Sequence, residues 1–153
     1  MLNKVKGNMY SFFNNYPFKG ANRGCTWNPI KGKCPHDCSY CFMKRFPQKE
    51  LRLDEKCFKD NLGRDRYIFV GSSTDMWGTH INQDWIRDVL IHCYKYPDNQ
   101  YFFQSKNPER FSVFKLPDNF IICTTIETDK QDILDKHSLL IYLIKNYEFS
   151  ILM

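Results

Sequence analysis

Three cysteines within eight residues, Cys34, Cys38 and Cys41 in the stretch TWNPIKGKCPHDCSYCFMKRF, set the first demand on any fold this chain adopts. The surrounding structure must bring three thiols into one loop. Their spacing is C-x3-C-x2-C, with Tyr40 directly before the last cysteine and no fourth ligand alongside. A structural zinc site closes a tetrahedron with four ligands, usually from two C-x-x-C pairs. Three local thiolates leave one metal position open, and an iron–sulfur cluster suits them better. A zinc site completed by His36, Cys25 or Cys57 stays open as the alternative, although His36 itself reads as a solvent-facing loop residue. A disulfide framework fits poorly, because the seven cysteines are an odd number and the 153-residue chain is long enough to bury a core.

Composition bounds the setting. Hydrophobic residues make up 42% and charged residues 25%, the profile of one ordinary globular domain. The opening MLNKVKGNMYSFF lacks the apolar stretch of a signal peptide, and no run reaches bilayer-spanning length. The expectation is a cytoplasmic protein with no membrane partner, in a compartment that keeps thiols reduced.

Charge is uneven. Residues 1–66 hold fourteen Lys and Arg against six Asp and Glu, a net +8, whereas the remainder is net −3. Lys31, Lys33, Lys44, Arg45, Lys49 and Arg52 flank the cysteines, so an anionic substrate such as nucleic acid would be attracted to this half. An ordinary solvated lysine surface has the same composition. A small zinc-stabilised module that binds nucleic acid is therefore the competing reading.

Taken in order, residues 1–25 form an irregular lead-in whose aromatic residues, Tyr10, Phe12, Phe13, Tyr16 and Phe18, are expected to pack on the core. Residues 26–30 read as a short strand stopped by Pro29. Within residues 51–62, the apolar set Leu53, Phe58 and Leu62 reads as a short helix beginning near Asp54 as cap and closed by Gly63. Tyr67-Ile68-Phe69-Val70 is a buried parallel strand, and Gly71-Ser72-Ser73-Thr74-Asp75 follows at its C-terminal end. There a glycine and small hydroxyls allow a ligand to approach closely, or else the segment is a turn with Asp75 as a helix cap. Residues 82–96 make the clearest helix, with Asn82 as cap and Ile86, Val89, Leu90 and Cys93 on one apolar face, so His92 and Cys93 read as structural. Residues 101–104 give a third strand, placing Lys106 at its end, where it either meets an anion or lies on the surface. Residues 108–114 give a short helix and residues 120–126 a fourth strand, with Thr124 and Glu127 as polar positions that would face a cofactor. Strands alternating with helical segments predict an α/β fold of parallel βα repeats with right-handed crossovers.

At Cys34, Cys38, Tyr40 and Cys41 the sequence resembles the radical SAM superfamily, whose signature is C-x3-C-x-aromatic-C. The words TWNP, VGSSTDMW and SKNPERF are similar to a phage-associated branch related to spore photoproduct lyase. The resemblance spans residues 26–127. It implies a [4Fe-4S] cluster on Cys34, Cys38 and Cys41, with the open iron chelating S-adenosylmethionine. It further implies that an external electron donor drives reductive cleavage to a 5′-deoxyadenosyl radical. Gly71, Ser72, Ser73 and Asp75 occupy the place of the family's glycine-rich contact to the SAM amino group, although they depart from its usual Gly-Gly-Glu. Lys106 would reach the SAM carboxylate. The implied fold is a partial radical SAM TIM-like barrel, a half-barrel completed by a homo-oligomer or a partner, unless the chain is an inactive truncated remnant. Residues 128–153, including the apolar run Leu139 to Ile144, form an atypical tail.

Overall fold

The computed structural model describes residues 2–4, 24–39 and 41–125. Tyr40, Glu127, the lead-in aromatics and the tail lie outside the described residues. Seven strands are present among those described: β1 (Asn3–Lys4), β2 (Gly24–Trp27), β3 (Ile30–Lys31), β4 (Arg52–Leu53), β5 (Tyr67–Val70), β6 (Gln100–Ser105) and β7 (Phe120–Thr124). Five of them form one sheet in the order β1-β2-β5-β6-β7. β2, β5, β6 and β7 run parallel, each beside its predecessor in the sheet, and β1 is an antiparallel edge. A mixed α/β fold with a mostly parallel sheet is therefore established. β1 falls in the expected irregular lead-in, where two residues are too few to show a period.

The apolar runs explain the sheet. Ile68, Phe69 and Val70 are all buried, as a strand covered on both faces requires. One face sets Ile68, Val70, Tyr101, Phe103 and Phe120 into the main core with Trp27 and Trp77. On the other, Phe69 and Phe102 meet edge to face with ring centroids 5.0 Å apart, flanked by Ile121 and Cys123.

The helix α1 (Gln83–Tyr94) starts where Asn82 predicts, with the Asn82 side chain accepting from the Asp84 backbone N–H at 2.8 Å. Ile86, Val89, Leu90 and Cys93 are buried, as their spacing predicts. In residues 51–62 the expected short helix does begin at the Asp54 cap, but it is a 3-10 helix that ends at Lys59. Leu53 precedes it, pairing with Ile30 across the β3–β4 ribbon. Likewise the first parallel strand is Gly24–Trp27, two residues earlier than expected, because Ile30 and Lys31 leave the sheet to pair with β4. No helix among the described residues is long and apolar enough to cross a membrane.

Candidate metal and cofactor site

The β3–β4 ribbon presents the cysteine loop above the C-terminal ends of the parallel strands. Gly32 permits this approach. Its φ is +117°, and a Cβ there would lie 2.7 Å from the Leu51 Cα, so the ribbon closes only around a residue without a side chain. Beyond it the Lys33 N–H donates to the Lys49 carbonyl at 2.9 Å.

Three successive turns then carry the thiols. The Asp37 N–H bonds the Cys34 carbonyl at 3.3 Å, the Cys41 N–H the Cys38 carbonyl at 3.2 Å, and the Lys44 N–H the Cys41 carbonyl at 3.0 Å. Each cysteine begins a turn. A 3-10 helix over Phe42–Arg45 follows directly. All three cysteines are free and half-buried, and all three line one pocket of about 180 Å³ together with Gly71, Asp75 and Lys106. A second hollow of about 430 Å³ reaches the same three cysteines from the side of Lys33 and Lys44. Burial pushes the Cys34 thiol above its ordinary range, opposed by hydrogen bonds from the Asp75 and His36 backbone.

Strand ends meet this loop through named contacts. Lys106, the residue after β6, directs its Nζ to the Cys38 Sγ at 2.8 Å, so it is not the unattached surface lysine that was one expectation for it. The carboxylate of Asp75 is a junction. Its Oδ2 contacts the His36 Nε2 at 2.8 Å and accepts from the Ser105 hydroxyl at 2.9 Å and the Lys106 backbone N–H at 3.0 Å, while Oδ1 accepts from the Trp77 N–H at 2.9 Å. Four contacts converge on the carboxylate, three at Oδ2 and one at Oδ1. Asp75 thus ties the cysteine loop to β6, and His36 is a half-buried part of that tie rather than the solvent-facing residue expected.

The rest of the Gly71–Asp75 turn is also fastened. Ser72 donates its hydroxyl and Ser73 its backbone N–H to the Asn28 side-chain oxygen, at 3.1 and 3.2 Å, and the Thr74 hydroxyl donates to the Gly32 carbonyl at 2.9 Å. Gly71, at φ +77°, donates to the Trp27 carbonyl at 3.0 Å. Sequence reasoning missed Asn28, whose signal was its position at a strand's end just before Pro29. Thr124 pairs with Ser105 at the end of β7, and the adjacent Thr125 lines the pocket.

Three free thiols lining one pocket are the donor type that an iron–sulfur cluster uses. Among the described residues no group of three His, Cys, Asp or Glu side chains is gathered closely enough to hold a metal ion as it stands. A [4Fe-4S] cluster takes one thiolate per iron, so its ligands stand apart at separate corners of the core rather than around a single ion. No known family matches the chain, and no curated protein or solved structure is significantly similar to it.

Proposed function

We propose that the chain is an iron–sulfur protein of the radical SAM type, its βα units forming part of a TIM-like barrel. In this reading Cys34, Cys38 and Cys41 hold three irons of a [4Fe-4S] cluster and leave the fourth for S-adenosylmethionine. The observation that carries it is the set of three free thiols lining one pocket at the C-terminal ends of parallel strands, where α/β folds bind ligands. Bound together, cluster and S-adenosylmethionine supply a one-electron reductive cleavage of the sulfonium that yields a carbon radical able to abstract hydrogen. An external low-potential donor provides the electron.

The chain's own residues bind and orient. Lys106 donates to a cysteine sulfur, which offsets thiolate charge, and Asp75 with His36 fixes the loop over the strand ends. Gly71 brings backbone close to the pocket, because a Cβ there would crowd the Thr74 carbonyl at 3.2 Å. Phe69, at the floor of the pocket, is apolar and largely buried, which limits water on that side.

Anaerobic reconstitution with iron and sulfide tests the reading. The expected product is a brown protein with one [4Fe-4S] cluster per chain, which Cys34→Ala, Cys38→Ala or Cys41→Ala each abolishes while Cys93→Ala leaves it intact. The reduced protein should then cleave S-adenosylmethionine to 5′-deoxyadenosine and methionine. Stoichiometric zinc in a colourless protein that takes up no cluster would overturn the reading.

A further inference from the structure

Beside the thiol pocket lies a cleft that neither cluster nor S-adenosylmethionine explains. Its volume is about 500 Å³, and Lys31, Lys49, Arg52, Gln48 and Phe46 are among its lining residues. Met43 and Ser73 belong to both this cleft and the thiol pocket, so the two spaces adjoin. Among the described residues three cations and no carboxylate line it. Lys31 is paired with Asp54 at 2.6 Å, whereas Lys49 and Arg52 form no ion pair among the described residues. Arg52 is steadied by a bond to the Glu50 carbonyl at 3.3 Å.

The second observation is aromatic. Phe42 and Phe46, flanking the 3-10 turn that follows the cysteines, are 57% and 56% exposed. Phe42 lines the thiol pocket and Phe46 the basic cleft. Bare phenylalanine faces set among Lys44, Arg45 and Lys49 combine the two elements by which proteins hold unpaired bases: cations along the phosphates and rings for stacking. An acidic peptide would use the charge but not the rings. A duplex keeps its base faces stacked inside, out of reach of a ring at the surface.

We infer that this cleft, with Phe46 and Phe42, binds single-stranded nucleic acid, phosphates against Lys49 and Arg52 and bases on the two rings. The cleft's volume is that of a site for a unit of small-molecule size, the scale of a nucleotide. Identifying the bound strand as the substrate rests on the proposed function; the binding does not.

Fluorescence anisotropy with a labelled single-stranded oligonucleotide tests it, using the full chain with and without reconstituted cluster, at two salt concentrations. Unlabelled duplex, heparin and polyglutamate serve as competitors. Phe46→Ala should lose roughly 5- to 160-fold in affinity, since one base–aromatic stack is worth about 1–3 kcal/mol. Phe46→Leu, which keeps an apolar side chain without a ring, should lose a similar factor with an unchanged circular dichroism spectrum. Lys49→Glu with Arg52→Glu should flatten the slope of log affinity against log salt by about 1.4 or more, from two lost phosphate contacts at about 0.7 each. Equal competition by heparin or polyglutamate, tighter binding of duplex, or wild-type affinity in both Phe46 variants would overturn the proposal. Because cluster content is read separately by absorbance, a failure here leaves the cluster assignment standing, and a colourless protein that still binds the strand leaves this site standing.

Discussion

The Nζ of Lys106 lies 2.8 Å from the Sγ of Cys38, joining the end of β6 to the middle cysteine of the loop. An N–H directed at a cysteine sulfur stabilises negative charge there, and an iron–sulfur cluster gains negative charge when reduced. Lys106→Met should therefore lower the reduction potential of the reconstituted cluster, by about 60 mV for each 1.4 kcal/mol of lost differential stabilisation. Lys106→Arg should recover part of the shift. A redox titration followed by electron paramagnetic resonance measures both, and an unchanged potential in Lys106→Met would show that the lysine does not act on the cluster.

Asp75 is expected to behave as a clamp. Its removal strands the His36 ring, the Ser105 hydroxyl and two backbone N–H groups in a setting where the carboxyl side chain is only 10% exposed. Hydrogen bonds to a charged acceptor are worth about 1.5–3 kcal/mol each and are not additive, so Asp75→Ala should cost about 2–4 kcal/mol. In a chain of this size that lowers Tm by roughly 5–15 °C. Cluster content should fall with it. A variant with wild-type Tm that loses only S-adenosylmethionine binding would instead make Asp75 a direct cofactor contact.

Local signals carried the fold. The run Tyr67 to Val70 and the Asn82 cap of α1 are written in neighbouring residues, and the structure places both where those residues predict. Of the candidate site, the cysteines, the Gly71–Asp75 turn and Lys106 were legible, and they line one pocket, but the contacts that join them were not. His36 and Asp75 are 39 residues apart, Asn28 and Ser72 are 44 apart, and Lys106 and Cys38 are 68 apart, so no period or spacing announces their contacts. Asp75 was visible as a polar residue at a strand's end, but whether such a carboxylate serves a ligand or the protein depends on which donors the fold delivers to it. The 51–62 segment shows the same limit: the helix start at the Asp54 cap was readable locally, whereas the pairing of Leu53 with Ile30 just before it was not.

Glycine at position 32 should be far less replaceable than glycine at 63. Both have positive φ, +117° and +68°, so alanine is strained at each. At Gly63 the atoms nearest the new Cβ belong to the Arg66 side chain, at 3.0 Å, and that chain can swing away. At Gly32 it would meet the backbone of Glu50 and Leu51, which the ribbon holds in place. Gly63→Ala should cost about 1 kcal/mol and Gly32→Ala at least 2–3 kcal/mol, with loss of cluster uptake as the loop lifts. Urea unfolding of the two variants side by side checks the order. Equal costs would mean that the ribbon yields.

Stability should decline as pH falls below about 6.5, through His92. Its ring is 3% exposed, stacks on Trp27 with centroids 5.0 Å apart, and donates from Nε2 to the Asp60 carbonyl at 3.0 Å. The Nδ1 is buried with no hydrogen-bond partner, so a proton added there would create a cation without an acceptor. Burial accordingly holds the His92 pKa below the usual 6.5, helped by the nearby charge of Lys95 and opposed by the Asp60 carbonyl and carboxylate. The unfolded chain then binds this proton more readily than the folded one. The contribution is complete above the unfolded value and is lost as pH drops through the depressed folded value. Chemical denaturation between pH 7.5 and 5 should show ΔG falling in that direction. His92→Phe keeps a ring against Trp27 while removing the titrating group, so its stability should be flatter across the same interval; an unchanged slope in that variant would assign the pH dependence to other groups.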